Sequence, residues 1–138
     1  MRVFIDAGIY IAFRNTKDLR HKRAAEIIAS IARGEYDAAY TSEYIFDEAV
    51  TFTLSRTGNH PLAESLGATI LGEKRRPLAK LLNIDSTVFR DAWTLFKRYN
   101  DSNLSFTDCT SLTLMKEHNI DVIASFDAGF DAFTERLC

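Results

Sequence analysis

Four acidic residues fall where an alternating strand–helix chain could bring them together. Asp6 ends the apolar run Val3-Phe4-Ile5, and Asp127 shortly follows Val122-Ile123-Ala124. Glu48 lies early in a stretch that Ser42 can N-cap, and Asp108 sits in the first turn of a helix starting near Thr107. Carboxylates gathered in one place repel each other and are costly to desolvate unless a divalent cation neutralises them. No His or Cys stands at ligand spacing, and an oxygen-only donor set favours Mg²⁺ or Mn²⁺ over zinc. Asp131, four residues beyond Asp127, is the second choice for the fourth acid. Asp47 and Glu48 point about 100° apart on a helix, so one should face inward and the other outward. Plainer readings stand beside these: Asp6 and Asp127 as helix N-caps, Asp108 as a complement to a helix dipole, Glu48 on a solvated face.

The elements that must position these acids are legible as alternating patterns. Val3–Ile5 reads as a buried strand, Ala7–Phe13 as a short helix, and residues 14–23 as a polar, basic stretch. Ala24, Ile27, Ile28 and Ile31 recur at helical spacing up to Gly34, a suitable residue to follow a helix end. Ala38–Thr41 predicts a weak second strand, followed by a helix running to Arg56 or Thr57. Gly58-Asn59-His60 breaks it, and Pro61 suits the first position of another helix, ending within 72–77. Leu81–Ile84 is a third strand candidate, Asp85-Ser86 caps a helix carrying Val88, Ala92, Leu95 and Tyr99, and residues 107–118 are helical. Val122–Ala124 is a fourth strand, and a short terminal segment closes the chain. Strands alternating with helices predict an α/β fold: a three-layer α/β/α sandwich over a mostly parallel sheet. In such a sheet ligands bind at the carboxyl ends of the strands, where Asp6 and Asp127 fall.

Composition sets the limits. The 138 residues include 46% hydrophobic and 26% charged, with 6 Gly, 2 Pro and 2 Cys. That predicts a single domain over residues 1–138 and excludes disordered, collagen-like and disulfide-stapled classes. Met1–Asp6 lacks a signal-peptide core, and no apolar run is long enough to span a membrane. The expectation is a cytoplasmic protein with reduced thiols. The formal net charge of −2 hides an asymmetry. Residues 1–100 carry 15 Lys and Arg against 12 Asp and Glu; residues 101–138 carry 2 against 7.

Phe4-Ile5-Asp6-Ala7, Thr41-Ser42 with Glu48 beyond, Ser105-Phe106-Thr107-Asp108 and Ser125-Phe126-Asp127-Ala128-Gly129-Phe130 resemble, in order, the successive acidic motifs of PIN-domain proteins. The short form is similar to VapC-type toxins of toxin–antitoxin pairs. The resemblance implies an about five-stranded parallel sheet and a Mg²⁺-dependent endoribonuclease. Metal-activated water would attack the phosphodiester, leaving a 5′-phosphate and a 3′-hydroxyl. The metal ligands it implies are Asp6, Glu48, Asp108 and Asp127. Ala7-Gly8 follows Asp6 where the family often has a hydroxyl residue, and Ser125 stands where it usually has Thr. Ser42 and Thr107 read either as helix N-caps or as hydroxyls that orient a carboxylate or bind phosphate.

RNA must approach this negative site, and Arg14, Lys17, Arg20, Lys22 and Arg23 are the residues expected to meet its phosphates. Lys74-Arg75-Arg76 forms a second basic cluster, read more readily as a solvated face. The resemblance adds two partners: an antitoxin segment and a second copy of the chain, for which Tyr44, Phe52 and the Leu62–Leu71 stripe are the candidate surface. A phosphoacceptor receiver domain would want adjacent acids after the first strand, and a haloacid-dehalogenase-type phosphatase an Asp-x-Asp. Ala7 and Gly8 stand there instead. The remaining alternatives are a binding-only PIN-like module and a stand-alone RNA-processing nuclease without an antitoxin.

Overall fold

A computed structural model describes residues 1–138. Its elements are β1 (Arg2–Ile5), α1 (Ala7–Arg14), α2 (His21–Ala32), β2 (Ala38–Ser42), α3 (Glu43–Thr57), α4 (His60–Leu71), β3 (Lys80–Leu82), α5 (Ser86–Arg98), α6 (Phe106–Glu117), β4 (Val122–Ala124) and β5 (Glu135–Leu137). A 3₁₀ turn at Ala128–Ala132 joins the last two strands. The five strands form one sheet in the order β3-β2-β1-β4-β5. Every pairing is parallel: Val3 lies beside Ala39 on one side and Val122 on the other, and Ile123 beside Arg136. Right-handed crossovers put the helices that move the chain from β1 to β3 on one face. α5 and α6, which carry it back across the sheet to β4, lie on the other. The helix contacts follow that division: α1 packs on α2 and α3, α3 on α4, and α5 on α6.

Strand order reverses between β1 and β4, which places the topological switch point beside the ends of those two strands. Both strands are covered on both faces: Val3, Phe4, Ile5, Ile123 and Ala124 are completely buried. Beyond β4, the wholly buried Phe130 anchors the 3₁₀ turn in the core and so fixes the segment that starts at Asp127.

Several boundaries differ from the sequence reading. α2 begins at His21, because Lys22 and Arg23 occupy its solvent face while Ala24 and Ile27 turn inward. α4 begins at His60 with Asn59 as its cap, so Pro61 is its second residue. β3 ends at Leu82; the Ile84 N–H instead donates to Glu43 Oε1 at 3.1 Å. The terminal segment pairs as β5, although Glu-Arg-Leu has little strand character. Gly72 ends α4 with φ +73, and a Cβ there would lie 2.5 Å from Pro77 Cδ. Only glycine fits that stop. No helix is long and apolar enough to cross a membrane.

Phe130→Ala should therefore lower stability by about 3–5 kcal/mol, the usual cost of deleting a buried aromatic ring. In urea denaturation the midpoint should fall with the slope unchanged.

Candidate active site

Asp6 is the innermost acid, 8% exposed. It is the first residue past β1 and the N-cap of α1, with Oδ1 accepting from the Ala7 N–H at 2.9 Å. Its Oδ2 accepts from the Ser125 hydroxyl at 2.6 Å. Ser125 Oγ in turn accepts from the Asp127 N–H at 3.0 Å, so one buried serine just past β4 ties the two strand-end acids together. Burial is the main force lifting the Asp6 carboxyl from its ordinary 3.8 to about 6. The two hydrogen bonds oppose that rise, and the charges of Asp108 and Asp127 add to it.

Asp108 enters from α6. Its Oδ2 accepts from the Ser105 N–H at 2.9 Å while Ser105 Oγ accepts from the Asp108 N–H at 3.0 Å. This reciprocal capping box fixes the first turn. Partial burial, then the Asp127 charge, pushes its carboxyl upward. Asp127 is exposed and caps the 3₁₀ turn, with Oδ1 accepting from the Gly129 N–H at 2.8 Å. Glu48 stands on α3 and, like Asp47, is exposed to solvent, so the expected division of the pair into one inward and one outward acid is not seen. The Glu48 carboxyl rises from 4.5 to about 7, first through desolvation and then through the charges of Asp6, Asp108, Asp47 and Asp127. Asp47 instead takes a hydrogen bond from Thr51 one turn along the helix. The four acids Asp6, Glu48, Asp108 and Asp127 thus share one electrostatic field at the switch point.

The other sequence candidates are placed differently. Asp131 is held through both oxygens by Arg136, at 2.6 and 3.1 Å, which lowers its carboxyl. Ser42 is completely buried and caps α3 by accepting from Ile45 N–H, so of its two readings the cap is the one seen. Thr107 does not cap its helix: Ser105 does, and Thr107 sits in the first turn. Among the basic residues, Lys17 and Lys22 are exposed and Arg14 bonds Ser65 on α4. Arg20 lies over the Phe126 ring at 5.1 Å, next to Asp127. Arg23 is engaged by the Cys138 carbonyl and Glu26. His21 is bound to the Ala12 carbonyl and stacked on Phe13.

Sequence reasoning placed Ser105 in the motif with Asp108 but gave the cap to Thr107, although Ser-x-x-Asp is a capping-box signature. It missed Arg136, which donates to the Ser125 carbonyl as well as to Asp131. Nothing local to Arg136 marks it, since its partners are set by the β4–β5 pairing.

The donors are all oxygens, and burial and mutual repulsion raise three of them toward neutrality. A divalent cation would relieve both effects. No three His, Cys, Asp or Glu side chains are spaced to hold a metal ion unaided.

These groups set a pH dependence of stability in the metal-free chain. The folded state holds the Asp6 proton more tightly than the unfolded chain, so stability should fall as pH rises from about 4 through about 6. Glu48 adds the same sign, weakened because it lies open to solvent. Asp6→Asn keeps a good N-cap and should stabilise the fold by up to about 3 kcal/mol at pH 7.5, with little effect near pH 4. Urea titrations in chelator at both pH values test this; equal effects at both would refute the assignment.

Comparison with known proteins agrees with this geometry. The PIN domain family model matches residues 3–135. The chain is 26% identical over 130 residues to the 23S rRNA-specific endonuclease VapC20 of Mycobacterium tuberculosis, covering 94% of this chain and 92% of that one. The crystal structure of VapC20, described as a sarcin–ricin loop cleaving toxin, superposes with a TM-score of 0.82 at 25% identity, covering 94% and 93% of the two chains. FitAcB from Neisseria gonorrhoeae shares the fold, with a TM-score of 0.67 at 14% identity over 99% and 96%. A toxin–antitoxin complex from Klebsiella pneumoniae does so at 0.64 and 12%, over 99% and 96%. With its acids ordered along the strands and helices of a match that spans nearly its whole length, the chain belongs to the PIN-domain family.

Proposed function

We propose that this chain is a Mg²⁺- or Mn²⁺-dependent endoribonuclease and the toxin of a toxin–antitoxin pair, working in the cytoplasm as a single catalytic domain. The observation that carries the proposal is the buried Asp6, coupled electrostatically to Glu48, Asp108 and Asp127 at the switch point. A binding module has no need of a buried acid whose carboxyl, with those of Glu48 and Asp108, is pushed upward by burial and by neighbouring acids.

Asp6, Glu48, Asp108 and Asp127 would hold the metal, with Asp127 preferred to Asp131 because Arg136 already neutralises the latter. Bound there, the cation supplies Lewis-acid stabilisation of the phosphoryl oxygens and makes water a stronger nucleophile at neutral pH. The chain's own contribution is orientation. Ser125 fixes the Asp6 carboxylate, Ser105 fixes Asp108, and Gly129 N–H fixes Asp127. Arg20, over the Phe126 ring beside Asp127, and the exposed Lys17 of the same basic segment would draw the RNA backbone across the rim. By likeness to VapC20, the substrate is a structured ribosomal RNA loop. The antitoxin would fill the hollow of about 260 Å³ between α1, α3 and α4, whose lining includes Phe52, Leu62, Arg14 and Arg56. A homodimer completes the assembly.

Cleavage of ribosomal RNA should require Mg²⁺ or Mn²⁺ and stop in chelator. Asp6→Asn and Asp108→Asn should each cut the rate by roughly 10²-fold or more. Metal-independent cleavage, or full activity in both variants, would sink the proposal. Ser125→Ala should weaken activity less than Asp6→Asn, because it loosens the carboxylate without removing it. Single-turnover rates under saturating metal separate the two.

A further inference from the structure

α5 carries more apolar surface than the fold uses. Val88 and Ala92 are buried, with Leu95 partly so, and these form its core stripe. A quarter-turn round the helix, Phe89, Trp93 and Phe96 form a second stripe that stays 47%, 48% and 37% exposed. Trp93 and Phe96 stack in parallel, 5.6 Å apart and 12° from coplanar. Beneath them Phe106, the first residue of α6, meets Phe89, Trp93 and Phe96 edge-on at 5.2, 6.3 and 6.4 Å. Tyr44 of α3 approaches the same Phe106 ring at 6.4 Å. The stripe is therefore braced from below by a ring two residues from Asp108 and by one that precedes Glu48 by a helical turn.

We infer that Phe89, Trp93 and Phe96 form a base-stacking platform that holds unpaired nucleotides of the RNA beside the acid cluster. Three observations choose RNA as the occupant. The platform is continuous with the candidate active site through Phe106 and Tyr44. Its flank is basic: Lys97 lies over the Trp93 ring at 5.8 Å, and Arg90 stands on the same helix three residues before Trp93. An open hollow of about 350 Å³ runs from Trp93, Phe96 and Lys97 to Leu104, the residue before the Ser105 cap. Exposed flat rings with cations alongside are what single-stranded nucleic acid requires: faces for bases and charges for phosphates. Such stacking tolerates any base, so the platform supplies affinity and placement, while the identity of the RNA is read elsewhere.

The inference rests on the nuclease reading, but its test does not need cleavage. Trp93 is the only tryptophan of the chain, so its fluorescence reports on the platform alone. In Asp108→Asn protein with chelator present, a short oligoadenylate should quench Trp93, and inorganic polyphosphate of matched charge should not. Labelled-RNA anisotropy should show Trp93→Ser binding weaker by on the order of ten-fold, and Trp93→Phe close to unsubstituted protein. Circular dichroism melts confirm that both variants fold. In metal-loaded protein, Trp93→Ser should raise KM with kcat nearly unchanged. Failure of the nuclease reading would appear as an absence of cleavage with quenching intact. Three results would overturn the platform: normal cleavage with no response of Trp93 to oligoadenylate, equal quenching by polyphosphate, or a Trp93 signal that follows protein concentration alone. In the last case, sedimentation showing dimers that Trp93→Ser dissolves would assign the stripe to a second copy.

Discussion

Asp6 is held at three atoms, by the end of β4 and by the start of α1. Its N–H donates to the Ala124 carbonyl, extending the β1–β4 ladder by one step. Its Oδ1 starts α1, and its Oδ2 takes the Ser125 hydroxyl. The innermost acid is thus a strand end, a helix cap and a buried charge at once, and it cannot move without disturbing all three. The rest of the site is arranged around that fixed point. The cost is a carboxylate pushed toward neutrality in the metal-free fold, which is the kind of stored destabilisation that active sites carry.

A relay supports Asp6 from the far edge of the sheet. Asp131 orients Arg136 through two hydrogen bonds, and Arg136 donates to the Ser125 carbonyl at 3.2 Å. Ser125 then donates to Asp6. The edge strand β5 is short and poorly suited to a sheet by composition, but it carries the arginine that steadies this serine. Asp131 consequently acts on the site through its neighbours, while Asp127 faces it directly.

Legibility followed from how local each cause was. β1 and β4 were readable because interior parallel strands are apolar on both faces, and the places of Asp6, Asp108 and Asp127 because they fall at element ends; Glu48, in the second turn of α3, has no such local mark. The capping role of Ser42 needed only its place before a helix. Boundaries failed where tertiary contacts decided them. Ile84 looks like strand until the Glu43 carboxylate takes its N–H, and β5 becomes a strand only because β4 offers it an edge. The basic segment 14–23 was read as one RNA-facing patch. In the structure Arg14, Arg20 and Arg23 each have a different partner, and only side-chain geometry could divide them.

The charge imbalance of the sequence takes a specific form in space. Within the acidic last third, Asp121 accepts from the Arg2 N–H at 2.7 Å and Asp131 is matched by Arg136, so both are committed to holding the sheet. Asp108 and Asp127 have no cationic partner and add to the field of Asp6 and Glu48. Asp101, Glu117 and Glu135 are exposed along the tail, so the switch point gathers only part of the unpaired negative charge, and that part is the partly buried one. Arg20, placed on Phe126 beside Asp127, puts positive charge at the rim of that same spot. A negative floor with a basic rim suits a cation below and a phosphate chain above, and the net charge of −2 is silent about both because it averages them.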